Sequence, residues 1–595
     1  MFYCILAIAS AAILVAVTAL SAYARDIHVS TEGSAVGDGT AGKPFRGIED
    51  ALAQTRPGDT VCVAAGIYAG RVVVPVSGEA DKPIVVQGER GKGGEWLTII
   101  DSSLPLEVEW APAPEIGEGV YKAPFPGYEP MQMLVDGKFI PRIWQDHMAD
   151  GSGFEALAFP SDHVVETNYY KQPIQYWDTM GAMMGNRDGW TYIRFRDGDD
   201  PNQKSLRAAP EGGGVHIEDR KHVVLRDLMV RGGENCVQIT GSEAAHNTVE
   251  KCRLVNGAQR IQISDGASHN QVCDNEMTID FYAETCQTGA WGYDSDDGEV
   301  PYELLLKQQF YILYKLFCGP NSTSDYGVRL SRVGLGNEVC HNLIHRGGQG
   351  INLNDGRDVR VHHNTVYGFS SIGIITTLNR VCSAQVYENT VYDCNINLRI
   401  HHVNEPDQPH ERSVYVYRNR FWNQPRVGSH IYFHYMPDHV VPEGKHARIY
   451  IYQNTFAGGM RGISVSGWAH DLGGLPQAVA VNNILSTRVA FHAATAFIAG
   501  DEMWGVLDAN WLGGNLKSAH PGHDYRNSAW YGQRNVCEEG RSLWEAAEMP
   551  DFEAPLEDDL VNAGLDLSKE QEARGRRFGP LPGVAPEHAR RIGAY

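Results

Sequence analysis

A short pattern, x-Asn-x-apolar, recurs at Asn275, Asn342, Asn364, Asn389, Asn419, Asn454 and Asn483, each time beside a short strand-like run. After one long gap the spacings are 22, 25, 30, 35 and 29 residues. Seven occurrences in one register exclude scattered turn asparagines and require a repeat architecture, in which each unit buries its apolar face against its neighbours. Units of this length hold three short strands and three turns, and a coil so built advances by the inter-strand distance of about 4.8 Å. Unequal spacing then means turn loops of unequal size. An asparagine fixed in one turn can bond the next coil's backbone through its amide, the ladder by which stacked sheets satisfy buried polar groups.

The 595-residue composition, 43% hydrophobic and 21% charged with 64 glycines and 27 tyrosines, is globular and leans to strands and turns. A formal net charge of −22 excludes a generic nucleic-acid or anionic-membrane surface, since those partners need an excess of Lys and Arg on one face. An anionic substrate therefore needs a local basic patch. The apolar N-terminal run and the small-x-small sequence Ala22-Tyr23-Ala24 read as an export signal over 1–24, with a retained anchor as the alternative. The expectation is a secreted or periplasmic protein, free of the membrane once the signal is removed. Cys273 and Cys340 each follow a valine and precede x-Asn, so they are expected to stack as small buried hydrophobes. Cys286 and Cys318 bracket an insertion and are the candidate disulfide.

The opening segments Ile27-His28-Val29-Ser30, Gly39-Thr40, Pro44-Phe45, Ala51-Leu52, Pro57-Gly58-Asp59-Thr60-Val61 and Gly66-Ile67-Tyr68, taken with the repeat, are similar to the pectin lyase-like superfamily. That resemblance implies an all-β fold, a right-handed parallel β-helix, whose cap and first coils occupy 25–104. Pro57-Gly58 sets a tight turn into the strand from Thr60. Between 105 and 212 the repeat is interrupted by segments that alternate like antiparallel strands, among them Gly119-Val120-Tyr121 and Tyr192-Ile193-Arg194-Phe195, so an inserted β subdomain is expected. Coils resume over 213–485, broken by a second insertion at 281–326 in which Tyr302 to Phe317 reads as one helix. The asparagine register lapses after Leu485, leaving 486–595 as a C-terminal cap and tail.

Aligning the strand that closes each coil puts its second and fourth residues in the core and its third and fifth outside. The third position then reads Gln238, Gln262, Arg329, Asn352, Ile375, Arg399, Tyr432 and Ser464; the fifth includes Asn354, His401 and His434; the sixth adds Asp265, Arg332, Asp355, His402 and Tyr435. Two arginines, several imidazoles and a tyrosine in register exceed what a solvated face needs and are types that catalysis at neutral pH draws on.

Three functions fit this face, and in each the partner is a polysaccharide bound along the coils by a monomer. A lyase on a uronic-acid polymer would use Arg329, Arg332 or Arg399 to neutralise the carboxylate, His401 or His402 as base and Tyr432 as acid. An inverting hydrolase would use Asp265 and Asp355, two coils and so about 9.6 Å apart, or Glu405. The superfamily's polygalacturonases carry Arg-x-Lys where this chain has Arg399-Ile400-His401, which does not support that hydrolysis. A glycan-binding scaffold without catalysis is the third. Asp265, Arg332, Asn354, His434 and Trp468 are the further substrate-binding candidates, with Trp291, Tyr293 and Trp422 as sugar-stacking surfaces. Superfamily lyases often use calcium; no compact Asp/Glu cluster stands in the column, and the acidic run Asp294-Ser295-Asp296-Asp297-Gly298-Glu299 is the one candidate Ca2+ loop.

Overall fold

The computed structural model of the chain describes residues 24–143, 154–166, 172–293, 299–317, 325–377, 383–403, 413–436, 448–467, 477–493, 506–518 and, discontinuously, 526–594. It is a right-handed parallel β-helix. One 13-stranded sheet takes a strand from each coil in turn, from Asp26–Ser34 to Val506–Asp508, and a 22-stranded sheet covers the remaining faces. Inward residues stack on like residues: Val249, Val272, Val339, Val361, Val386 and Val416 are partners across successive coils, and none is exposed. Each such valine contributes about 1.5–3 kcal/mol through burial, and a single core of this kind runs from Ile27 to Tyr531.

The asparagines form the expected ladder. The Asn389 Oδ1 accepts from the Asn364 backbone N–H (3.1 Å) and amide (3.0 Å), and Asn389 in turn donates to the Oδ1 of Asn419. The residue before each ladder asparagine is left-handed, with φ of 55° at His363, 53° at Glu388 and 54° at Arg418. Two features depart from expectation. The ladder does not lapse after Leu485 but continues through Asn510 to Asn535, and a parallel ladder of Asn247, Asn270 and Asn337 flanks the other end of the same strands. Cys273 and Cys340 are bonded to each other as a disulfide, Cα atoms 4.7 Å apart. They alternate with the core residues Val272 and Val339, so their side chains leave the core, where two cysteines in register can join. Cys286 is a buried free thiol, and Cys318 lies outside the described residues.

After Asp101 the chain leaves the helix and returns at Val215, which pairs with Val72 and Val237 as if nothing intervened. The excursion builds a four-stranded sheet, a five-stranded sheet and a two-stranded ribbon of Val164–Glu166 with Pro173–Gln175, all antiparallel except where Arg142–Ile143 joins Ala182–Arg187. Buried Asp101 ties it down, pairing with Arg231 of the helix (2.9 Å) and Arg207 of the excursion (3.6 Å). The second insertion carries the helix Tyr302–Phe317, as its periodicity predicts. Its Lys307 pairs with Asp393 (3.1 Å), and nearby the Trp291 indole donates to the Ser370 carbonyl (2.8 Å), which lays the insertion over the coils at 365–395. No helix among the described residues is long and apolar enough to cross a membrane.

Candidate functional site

The closing strands stack in the register that the sequence alignment assumes. Gln238, Gln262, Arg329, Asn352, Ile375, Arg399, Tyr432 and Ser464 are successive partners, and His492 and Lys517 extend the column. At about 4.8 Å per coil, Arg329 and Arg399 stand three coils, or about 14 Å, apart. Ile375 between them is buried, so the column divides into two polar groups.

The first group is Arg329 with Asn352. The Arg329 guanidinium lies over the Tyr326 ring at 5.3 Å, and the Asn352 amide donates to Gln349 (3.2 Å). Beneath it Arg260 and Asp325 form a fully buried ion pair, with burial raising the Asp325 carboxyl above its usual range and Arg260 opposing the rise.

The second group is Arg399, His401, Tyr432 and His434. Alternation puts Arg399 and His401 on one face of one strand, and register places Tyr432 and His434 beside them on the next. The Arg399 guanidinium donates to the His434 Nδ1. His401 and His434 stack with ring centroids 5.2 Å apart, and Tyr432 lies 6.0 Å from His434. Burial first and Arg399 second push both imidazoles down to about 4; His434 adds to the effect on His401. Both are therefore neutral at pH 7. Burial also depresses the Arg399 guanidinium, against which Tyr432 and then Tyr311 of the inserted helix act. In this group the Arg399 Nε and the His401 Nε2 are buried with no hydrogen-bond partner among the described residues, as are the Arg329 Nε and the Asn352 Oδ1 in the first group. An orphaned buried group costs about 1–3 kcal/mol, so a ligand that satisfies the Arg399 and His401 atoms is favoured.

The carboxylates sit differently. Asp265 and Asp355 follow closing strands two coils apart, as counted from sequence. Asp265 is exposed in a left-handed turn and pairs with Arg332 (2.6 Å), while Asp355 accepts from the N–H of Gly356 (3.1 Å). Asn354 follows the strand Leu343–Leu353, its N–H donated to the Leu330 carbonyl (2.9 Å). His402 pairs by backbone with Tyr435, but its side chain, with Glu405, Trp468 and residues 294–298 of the acidic run, lies outside the described residues. Trp422 is buried, its ring 6.1 Å from that of Tyr392, and Trp291 stacks on Tyr311 (5.5 Å).

Sequence reasoning passed over Lys307, Tyr311 and Asp393. Burial raises the Asp393 carboxyl, with Lys307 opposing. The signal was present: Glu303, Lys307 and Tyr311 recur every four residues and so share one helix face. A separate cavity of about 560 Å³ lies between the two insertions, lined by Lys138, Asp280, Glu284 and Arg346 and by none of the column.

No family model and no curated protein matches this chain. Solved structures that resemble it include pectate lyase Pel9A (12% identity, 96% of each chain, TM-score 0.41). Others are the alginate lyase of Paenibacillus sp. str. FPU-7 (10%, 76% of this chain and 99% of that one, 0.37) and XylC in complex with xylose (15%, 83% and 69%, 0.40). At this identity and TM-score the resemblance carries no argument about chemistry, which rests on the residues themselves.

Proposed function

We propose that this chain is a secreted polysaccharide lyase that acts by β-elimination on a polymer containing uronic acid. The observation that carries the reading is the pair of unsatisfied buried atoms, Arg399 Nε and His401 Nε2, on one face beside the Tyr432 phenol. Arg399 supplies the positive charge that a chain of net charge −22 must concentrate locally to hold a substrate carboxylate. Burial is the main cause of the depressed His401, and pairing with that carboxylate offsets the second cause, the Arg399 charge, which moves the base in the favourable direction. His401 then takes the C5 proton, the electron pair forms the C4–C5 double bond, the C4–O bond breaks, and Tyr432 protonates the departing oxygen. The Cys273–Cys340 disulfide supports an oxidising, extracytoplasmic location.

The test incubates the protein with a panel of uronate and neutral polysaccharides while recording ultraviolet absorbance of unsaturated products and new reducing ends. Both signals from a uronate polymer, each abolished by Arg399→Gln, are expected. Reducing ends without unsaturation would overturn the elimination, and binding without any product would make the groove a glycan-binding surface.

A further inference from the structure

We propose that His341, His362 and His363 form a binding site for a divalent transition-metal ion of the zinc class, on a different sheet from the Arg399 column. Each of the three offers a ring nitrogen, and these nitrogens lie within 4.8 Å of one another. The Nε2 of His362 faces Glu338 at 2.9 Å, and the Nε2 of His363 faces Glu388 at 2.8 Å. A carboxylate on Nε2 fixes the proton there, the arrangement that metal-ligating histidines use to present the other nitrogen as a lone pair. The two Nδ1 atoms so presented face each other at 2.9 Å. In the metal-free protein a proton on one Nδ1 bridges the two as an N–H···N bond, and a bound cation would take its place and release it. A tetrahedral zinc with bonds of about 2.0–2.1 Å separates two ligand nitrogens by about 3.3 Å, so the pair needs to open by only about 0.4 Å.

His341 stacks over the His363 ring at 4.7 Å and supplies the third nitrogen, leaving a fourth position for water or ligand. Three imidazoles with no thiolate select zinc, copper or nickel over calcium or magnesium. The surroundings are built around the cluster. Glu338 is held by Arg360 (3.3 Å) and Gln271 (3.1 Å), Glu388 by Arg418 (3.0 Å), and the His362 ring lies on Tyr387 (centroids 4.6 Å). His341 and His363 occupy the left-handed position before a ladder asparagine, with φ of 55° each. An ion bound there joins adjacent coils on the side where the Cys273–Cys340 disulfide already joins two, Cys340 being the register partner of His362.

The test uses the full, untagged chain, stripped with chelator and dialysed, then given one equivalent of Zn2+ and gel-filtered before metal analysis. The expected result is one zinc per chain in the wild type and at least a hundredfold weaker binding in the double variant His341→Gln, His363→Gln. Glutamine already occupies the equivalent turn position at Gln453 with φ 54°, so this variant keeps the fold, checked by its unchanged apo melting temperature. Should it fail to fold, Glu338→Gln is read instead, with a 10–100-fold loss expected. Co2+ added in place of Zn2+ is expected to give visible bands of a low-coordinate nitrogen site in the wild type alone. Zinc retention equal in wild type and variants, or none in the wild type, would overturn the site.

Discussion

Replacing Asn389 by alanine tests the ladder in the middle of the stack. The side chain accepts from the Asn364 N–H and amide, and its own amide donates to Val361, Tyr387 and Asn419 at 2.9–3.0 Å. Alanine orphans one buried backbone N–H, at about 1–3 kcal/mol, and removes several bonds of about 1 kcal/mol net each, so a loss of about 3–5 kcal/mol is expected. Asn389→Asp separates hydrogen bonding from shape. It keeps the acceptor but turns a carboxylate toward the two carbonyls and the Asn419 Oδ1, which raises its folded pKa above the unfolded value of about 3.9. A group raised in that way contributes fully only below the unfolded pKa, and stability is lost as pH rises through the folded value. Urea midpoints at pH 4 and pH 7 read both effects. The alanine variant is expected to be destabilised at both, and the aspartate variant more at pH 7 than at pH 4. A loss below about 1 kcal/mol for alanine, or an aspartate variant indifferent to pH, refutes the account of the ladder.

In Arg399→Gln the His401 imidazole is expected to titrate above 4 but below the ordinary 6.5, because burial is the larger cause and the arginine the second; ring-proton NMR reads this, and an unmoved titration removes Arg399 as a cause. Buried His430, pushed down to about 4 by desolvation, should make stability fall by about 1.4 kcal/mol per unit as pH drops from 6.5 to 4, since the unfolded chain takes up the proton first. His430→Gln flattens that slope by the same amount in denaturation series across the range. Lys307→Met leaves Asp393, which is partly exposed and keeps the Ala290 N–H, without its cation and is expected to cost the inserted helix about 1.5–3 kcal/mol. Limited proteolysis should then cut within 281–326 while the coils resist, and equal protection of wild type and variant counts against the contact.

The coils were legible because two periods coincide in the sequence: alternation along each strand and asparagine at each turn. Those constraints placed Arg399 beside Tyr432 and His401 beside His434 without coordinates, and a helical apolar spacing of its own marked Tyr302–Phe317 inside the insertion. The ladder's end was misread because the strands after Asn510 and Asn535 are only two residues long, too short to show alternation. The disulfide was missed although alternation pointed to it, since a cysteine following a core valine must face away from the core. The opposite effects of Tyr311 and burial on Arg399 were not legible at all, because they depend on where an insertion folds back rather than on the repeat.

The left-handed turn before each ladder asparagine is fixed in backbone and open in side chain: Asp274, His341, His363, Glu388, Arg418, Gln453, Asn482 and Ala509 all occupy it with φ between 53° and 60°. The ladder amide and the adjoining strands hold the bend, so the residue at its tip is not needed to make the turn: at Gln453 and Asn482 it ties down the C-terminal segment, while at His341 and His363 it is exposed. The stack therefore carries along its edge a row of evenly pitched sockets, one per coil, in which chemistry can be exchanged one residue at a time. Two histidines in adjacent sockets are a single step from one, and a molecule built this way can acquire a second site without disturbing the first.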